Sequence, residues 1–516
     1  MEQPQMIKSL STKLHARSYL GSKGYTIYKS DLATQELDYI KRQLTIQPSL
    51  SNQYQQDRKP FAVYRENQAK IYIPRYFAEG TPDFPGLSLG PAKIDKLPEG
   101  DTIDIPFEGS LRPEQEIVTN HFCDFVSAKS SGGGGLLSLP CAAGKTVLSL
   151  NIISRLRRKT LVVVHKEFLL NQWIERASQF LPTARIGRIQ ASVIDIDDKD
   201  IVIGMLQSLS MKTYEDEIFQ SFGFTIIDEV HHISSEIFSC ALFRMTTRYT
   251  LGLSATMDRK DGTSYVFKLF LGSVLYRGEA EQHAVQVRAI QFENKCDDAF
   301  NAVINDSQGK IQYSSMITKL CDHVPRSEFI LGIVQDMIEE ADAQVSAGGQ
   351  QQQQIMILAH NKSLLTYLFT AIKERGMATV GYYVGGMKPE DLKESEKARV
   401  IIATYSMAAE ALDIKTLNTL IMATPKTDIE QAVGRILRER HGTPIVVDIV
   451  DPHAPFRQQW KKRQEFYRKK GYEVTQSDYV GYITKKYGWN KSSSSSLSSS
   501  SLSSSSSSLP KRQKCR

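Results

Sequence analysis

Ten short runs of β-forming apolar residues, in two sets of five, constrain this chain more than any other feature. The first set is "GLLSLP" (135–140), "TLVVVH" (160–165), "DIVIGM" (200–205), "FTIIDE" (224–229) and "YTLGLSAT" (249–256). The second is "QIMILAH" (354–360), "TVGYYVGG" (379–386), "ARVIIAT" (398–404), "TLIMAT" (419–424) and "PIVVDIV" (444–450). Most of these runs are close to continuously apolar, as in strands buried on both faces. Helix-like segments such as "KTVLSLNIISRLRRK" and "EFLLNQWIERASQFL" separate some of them. That alternation predicts an α/β fold with parallel sheets covered on both sides. Two tandem domains are expected, 105–280 and 320–475, each near the usual domain size. Residues 281–319 show weak periodicity and are read as a linker.

The ends differ from the middle. Residues 1–104 contain an aromatic, basic, strand-like stretch, "FAVYRENQAKIYIPRYF" (61–77), after a polar helix-like region. A small α+β accessory domain is expected there. "GGQQQQQ" (348–354) reads as a loop insertion before a strand. Residues 476–516 are read as a basic, Ser-rich, disordered tail, because a run of serines cannot bury enough surface to offset its ordering entropy. The net charge is 64 − 57 = +7. Residues 456–491 alone hold ten Lys/Arg against three Asp/Glu. That local excess fits a polyanionic partner, or equally a solvated helix face and tail. The closing "LPKRQKCR" fits an address, a nucleic-acid contact or a solubilising terminus.

No run of about 18 apolar residues is present, so no membrane span and no membrane partner are expected. The opening "MEQPQMIKSLSTKL" lacks the apolar core of a secretory signal. The six cysteines are scattered with no C-x-x-C pair, which argues against a zinc site or a disulfide framework. An intracellular, reducing compartment is expected.

Chemistry enters at "LPCAAGKTVLS" (139–149). A strand, a turn and a helix starting near 145 make the setting of a phosphate cradle. Backbone N–H groups of Pro140–Thr146, Pro140 itself lacking one, would line it: Cys141, Ala142, Ala143 and Gly144. Lys145 can neutralise phosphates and the Thr146 hydroxyl can ligate Mg²⁺. "FTIIDEVHH" ends a strand with Asp228 and Glu229, the Walker B arrangement. Asp228 would hold Mg²⁺, and Glu229 would orient and deprotonate water. Each motif alone has a plain alternative, a loop before a helix or a carboxylate helix cap. Their coupling in one α/β half favours an ATP site. In "QAVGRILRE", Gln431, Arg435 and Arg438 recur at spacings of four and three, one face of a helix. Arginines so placed suit a transferring phosphoryl group, although an exposed basic helix would look the same.

The ordered series "LRPEQ", "LPCAAGKT", "VVVHKEFLLNQW", "GMLQSLS", "DEVHH", "GLSATMDRKDG", "YYVGGMK", "TYSMAAEALDI" and "QAVGRILRE" resembles superfamily 2 helicases with a DExH box. Within them it is similar to the xeroderma-pigmentosum-group-B type, and closer to helicases of large DNA viruses of the poxvirus transcript-release kind. The resemblance spans about 105–475 and implies two RecA-like domains and ATP-driven movement on nucleic acid. It implies that Gln115 reads adenine and that Asp413, with Glu410, lies near the nucleotide. It implies that Ser254 and Thr256 link hydrolysis to movement between domains, with His231 as a hydrogen-bonding link. His165, Lys166, Gln207, Ser208, Asn361 and Thr404 match backbone-contacting loop positions. The general P-loop pattern G-x-x-x-x-G-K-[ST] would put a glycine where Leu139 stands, but in such relatives the glycine before Gly-Lys-Thr sits two places ahead of Gly144, so Leu139 is no defect. The departures are Ala142 and Ala411, where glycine is usual.

These readings imply an ATP- and Mg²⁺-dependent helicase acting on DNA in preference to RNA, in viral transcription (transcript release) or DNA processing. RNA polymerase or other transcription factors are candidate partners. Host cytoplasm, nucleus and virion stay open as locations. Two alternatives remain: an RNA helicase, and a weakly hydrolysing nucleotide-gated clamp on nucleic acid.

Overall fold

The computed structural model describes residues 17–47, 59–82, 86–140, 143–232, 239, 241–255, 257, 262–279, 284–346, 348, 353–410, 414–437, 443–484 and 490–491. Two compact units form. One runs to Gln282 and takes in Tyr405–Leu417 and Glu430–Arg440; the other has His283–Thr404, Asn418–Ile429 and the chain from His441.

In the first unit a small sheet comes first. Its strands are β1 (Tyr19–Gly21), β2 (Gly24–Tyr28), β3 (Arg65–Glu66), β4 (Lys70–Ile73) and β5 (Ile94–Asp95), ordered β3-β4-β2-β1-β5. The large sheet follows: β6 (Gly133–Ser138), β7 (Thr160–Val164), β8 (Ile186–Gln190), β9 (Val193–Asp195), β10 (Ile201–Met205), β11 (Phe224–Asp228), β12 (Tyr249–Ser254) and β13 (Val274–Arg277). Its order is β9-β8-β10-β7-β11-β12-β6-β13, parallel except for the β8–β9 hairpin. All five expected strands are present. Their two-sided apolarity is used as expected: Val162, Val164 and Ile226 pack on one face with helices Lys145–Leu156 and Glu167–Phe180. Leu161, Val163 and Ile227 pack on the other.

That second face is where the expectation of a separate N-terminal domain fails. Tyr25, Ile27, Ile40, Ile71 and Phe77 share one core with Leu136, Leu161 and Phe267 of the large-sheet layer. A single apolar layer cannot be divided without exposing both sides, so the small sheet is fused to the first unit. Arg75, 4% exposed, pins the join. It pairs with Glu79 at 2.8 Å and donates to the carbonyl of Gly132 at 3.1 Å.

The second unit holds β14 (Gln286–Gln291), β15 (Ile355–Ala359), β16 (Val380–Tyr383), β17 (Val400–Thr404), β18 (Thr419–Met422), β19 (Ile445–Val450), β20 (Glu473–Ser477) and β21 (Asn490–Lys491). The order is β16-β17-β15-β18-β19-β14-β20-β21, parallel apart from the last pair. The five expected strands are again there. Two boundaries are corrected. Residues 286–319 are not a linker, because β14 is an interior strand between β19 and β20. The tail does not begin at 476, because β20 and the helix Tyr479–Ile483 belong to the folded unit. The serine run lies outside the described residues. Two buried ion pairs, Arg326–Asp451 and Arg463–Asp448, tie helices to the strand-end region of β19. Among the described residues no helix is long and apolar enough to cross a membrane, and no cluster of three or more His, Cys, Asp or Glu could hold a metal by itself.

Candidate active site

The parallel ladder lines up the ends of neighbouring strands. Ser254 at the end of β12 pairs with Ser138 at the end of β6, and Leu253 pairs with Asp228 at the end of β11. Side chains that lie far apart in sequence thus meet at one sheet edge.

After β6 the chain reaches Leu139 and Pro140; the Leu139 N–H donates to the Ser254 carbonyl at 2.9 Å. Cys141 and Ala142 lie outside the described residues. Gly144 has φ +74°, a left-handed conformation that favours glycine. A Cβ there would stand 2.3 Å from Gln115 Nε2. Gln115 donates from Nε2 to the Ala143 carbonyl at 2.9 Å, and its Oε1 accepts from the Arg112 N–H at 2.9 Å. The glutamine expected to read adenine therefore also fastens the loop to the start of helix Pro113–Ser127. Lys145 and Thr146 open helix Lys145–Leu156, where the first-turn N–H groups point outward and the helix dipole favours an anion.

Lys145 Nζ meets Glu229 Oε1 at 2.9 Å. Glu229 sits at φ +51°, an uncommon conformation for a non-glycine residue and the kind of strain that marks functional sites. Its N–H donates to Asp228 Oδ1 at 3.0 Å. Its Oε2 accepts from Ser254 Oγ at 3.3 Å, with His231 Nδ1 also at 3.3 Å. His231 Nδ1 lies 3.0 Å from Ser254 Oγ, which closes a Glu229–His231–Ser254 triangle. Thr256 is outside the described residues.

The two carboxylates are driven apart. Burial and the neighbouring Glu229 charge push Asp228 above the usual carboxylate range, against the pull of Lys145 and Trp173. Burial also works to raise Glu229, but Lys145 and His231 outweigh it and hold the group well below that range. Asp228, Glu229 and the Thr146 hydroxyl supply hard oxygen donors at one edge. That set fits Mg²⁺, which binds through one or two carboxylates plus substrate phosphates rather than an all-protein cage.

Trp173 is the residue that reading the sequence missed. Buried on helix Glu167–Phe180, it donates from Nε1 to Asp228 Oδ2 at 3.0 Å. With the Glu229 N–H on the other oxygen, both carboxylate oxygens have a donor. The available signal was chemical: a buried indole N–H must find an acceptor.

The remaining expected positions fall in several places. The His165 ring is 6% exposed and stacks on His232 with centroids 3.9 Å apart, while His232 lies 4.2 Å from His231. Gln207 donates to the His165 carbonyl at 2.7 Å, and Ser208 Oγ accepts from the Ala191 N–H at 2.9 Å. Lys166 stands at the N-terminal boundary position of helix Glu167–Phe180. In the second unit Asn361 follows β15 and donates to Thr318 Oγ1 at 3.2 Å. Thr404, at the end of β17, pairs with Ala359 at the end of β15, so the ladder brings it beside the Asn361 turn. The expected helix face bearing Gln431, Arg435 and Arg438 is not one α-helix. Glu430–Val433 is a single α turn and Gly434–Leu437 a 3₁₀ turn, so Gln431 and Arg435 lie on successive turns of different pitch. Arg435 Nε donates to the Ala408 carbonyl at 2.7 Å. Arg438 and Asp413 lie outside the described residues.

Residues 108–259, which contain Gln115, Lys145, Trp173, Asp228, Glu229, His231 and Ser254, match the family described as type III restriction enzyme, res subunit. A protein of Acanthamoeba polyphaga mimivirus named as an ATP-dependent RNA helicase, L396, is 33% identical over 90% of this chain and 88% of its own length. One of African swine fever virus, likewise named as an ATP-dependent RNA helicase, is 27% identical over 66% of this chain and 69% of its own. A protein of invertebrate iridescent virus 6, named as a helicase, is 24% identical over 72% and 83%. Among solved structures, T4 UvsW aligns over 87% of this chain and 97% of its own at 15% identity with a TM-score of 0.34, too distant to carry an argument. The breadth of the mimivirus match and the helicase motif series together show that the chain belongs to the superfamily 2 helicases of large DNA viruses, ATP-driven enzymes.

Proposed function

We propose that the protein is an ATP- and Mg²⁺-dependent translocase that moves along nucleic acid, with DNA as its track and viral transcription or DNA processing as its setting. The observation that carries the ATPase part is the Lys145–Glu229–Asp228 constellation: a cradle lysine on one carboxylate, and a second carboxylate held by two donors. In this reading the loop from Pro140 to Thr146 cradles the phosphates and Gln115 contacts the base. Asp228 and the Thr146 hydroxyl would hold Mg²⁺, which when bound would supply charge neutralisation at the phosphates.

Glu229 is the general base, and Lys145 is its control. While Lys145 rests on Glu229, the carboxylate is held far below neutral pH and is a poor base. When phosphate draws the ammonium away, the Lys145 share of that depression is relieved and the carboxylate becomes better matched to abstracting a proton from water. His231 and Ser254 then orient it through the triangle. Arg435 and Arg438 stabilise the transferring phosphoryl charge, Gln431 assists, and Asp413 contacts the nucleotide side of that element. Thr256 works with Ser254 to pass hydrolysis on to movement. His165, Lys166, Gln207, Ser208, Asn361 and Thr404 position the strand through its backbone, without reading sequence. RNA polymerase or another transcription factor is the protein partner.

A second reading has RNA as the track, and the names carried by the mimivirus and African swine fever virus relatives favour it. Steady-state ATP hydrolysis without nucleic acid, and with single-stranded DNA, duplex DNA or RNA, separates the two. Strongest stimulation by DNA is expected. Stimulation by RNA alone would transfer the assignment to the second reading. Nucleotide binding without hydrolysis in any arm would leave a clamp.

A further inference from the structure

A groove of about 270 Å³ opens at the C-terminal ends of β14 and β19, entirely within the second unit. Crevices outside the carboxyl ends of parallel strands are the usual ligand positions of open α/β sheets. One wall is the helix Ala454–Lys469. It brings Arg457 and Lys461, one turn apart, to the groove, with Trp460 and Gln464 between and beyond them.

The charge at this mouth is uncompensated. Arg457 and Lys461 are both exposed, and neither forms an ion pair or side-chain hydrogen bond among the described residues. Two acidic side chains also line the groove, and both are already committed. Asp451 is gripped in bidentate fashion by Arg326 at 2.6 and 2.8 Å, with both side chains fully buried. Glu293 pairs with Lys295 at 3.0 Å. Two cations over a partly apolar floor ask for an anion. The groove is slightly below the roughly 300–1,000 Å³ of pockets that enclose whole small-molecule ligands. It suits a phosphate with part of its sugar.

The topology says which phosphate. Asn361 and Thr404 stand at the ends of β15 and β17, on the same edge of the same parallel sheet. The order β17-β15-β18-β19-β14 puts the groove two to three strands beyond Asn361, about 12 Å at roughly 4.8 Å per strand. At about 3.4 Å of helix axis per phosphate of one strand, a duplex lying along this edge spans three to four phosphates of that strand over the interval.

We propose that this groove is a second phosphodiester-binding site, in which Arg457 and Lys461 hold backbone phosphates of the nucleic-acid strand beyond those reached from Asn361 and Thr404. The site rests on the reading that the strand crosses this edge. It carries no sequence information, because phosphate contacts position without specifying. It lengthens the track and adds counterion release to the binding free energy.

The test uses the full-length chain, labelled single-stranded DNA and RNA of matched sequence, and a salt titration. The variants are Arg457→Ala/Lys461→Ala and the charge-keeping Arg457→Lys/Lys461→Arg, with thermal melting to show that the exposed substitutions leave the fold intact. If both cations meet phosphates, the alanine pair lowers the slope of log K against log[salt] by about 1.4 and weakens binding about 25-fold near 0.1 M salt. The charge-keeping pair stays near wild type. A wild type that binds with slope and affinity unchanged in the alanine pair overturns the site alone. A wild type that binds neither strand overturns the nucleic-acid reading itself. Loss of inorganic pyrophosphate binding with strand binding unchanged would make the groove a free-anion pocket and also overturn the proposal.

Discussion

Trp173→Phe is the sharpest perturbation of the nucleotide site. It keeps an aromatic ring in the core and removes one atom pair, the Nε1–H that donates to Asp228 Oδ2 at 3.0 Å. A hydrogen bond to a charged group contributes about 1.5–3 kcal/mol, and at about 1.4 kcal/mol per tenfold that is about 10- to 150-fold. The loss falls on the carboxylate whose other oxygen is fixed by the Glu229 N–H. Asp228 then swings on one anchor instead of two, and the oxygen that would hold Mg²⁺ in the proposed mechanism loses its aim. The expected result is a fall in kcat/KM for ATP of about 10- to 150-fold, with a raised Mg²⁺ requirement as the specific signature. Thermal melting separates this from general loosening, because Trp173→Ala leaves a larger void and costs about 3–5 kcal/mol of stability. A folded Trp173→Phe within about twofold of wild type at every Mg²⁺ concentration would show that the indole is packing alone.

Gly144→Ala puts a methyl where Gln115 Nε2 stands and forces alanine into the left-handed region; the two costs sum to about 2–3 kcal/mol, read as weakened nucleotide binding, and unchanged affinity would refute it. Arg75→Ala strands Glu79, which is 9% exposed. The expected loss is about 3–5 kcal/mol in denaturant unfolding, and a loss under about 1 kcal/mol would show that the small sheet does not depend on this clamp. His453, 4% exposed, donates from Nε2 to the Phe300 carbonyl at 2.6 Å, and burial holds it below its ordinary pKa despite that bond. The folded state keeps it neutral while the unfolded chain takes up a proton, so its contribution is complete above about pH 6.5 and is lost as pH falls below it. His453→Gln keeps the donor and cannot titrate; unfolding measured down that range should show a shallower acid loss, and an identical slope would sink the assignment.

The parts of this chain written in short local pattern were legible from sequence. Ten strands came from apolar runs, because a parallel sheet buries both faces and leaves no alternation to confuse the reading. Lys145, Asp228 and Glu229 came from motifs whose spacing is dictated by a strand end and a helix start. β14 was missed because "QVRAIQ" carries Arg288 in its middle, and that side chain is satisfied by Glu340 in a contact no local window reveals. The fusion of the small sheet was missed for the same reason: the partners of Tyr25 and Phe77 come later in the chain, in the large-sheet layer. The change of pitch under Gln431 and Arg435, where the helix tightens to 3₁₀ at Gly434, was not legible in their spacing. Trp173 lay in plain sight within "LLNQW", but its role depends on which strand end its helix packs against.

The most direct measurement is single-turnover ATP hydrolysis by wild type and Glu229→Gln, with nucleotide affinity measured in parallel. The Glu229 carboxylate joins the cradle lysine to the His231–Ser254 triangle, and its backbone N–H holds Asp228 Oδ1, so this substitution tests the centre of the site. Removal of a general base predicts a fall in hydrolysis of about 10²- to 10⁴-fold with ATP still bound. Hydrolysis by Glu229→Gln at the wild-type rate would contradict the assignment of this carboxylate as the base and, with it, the mechanism built on Lys145 releasing it.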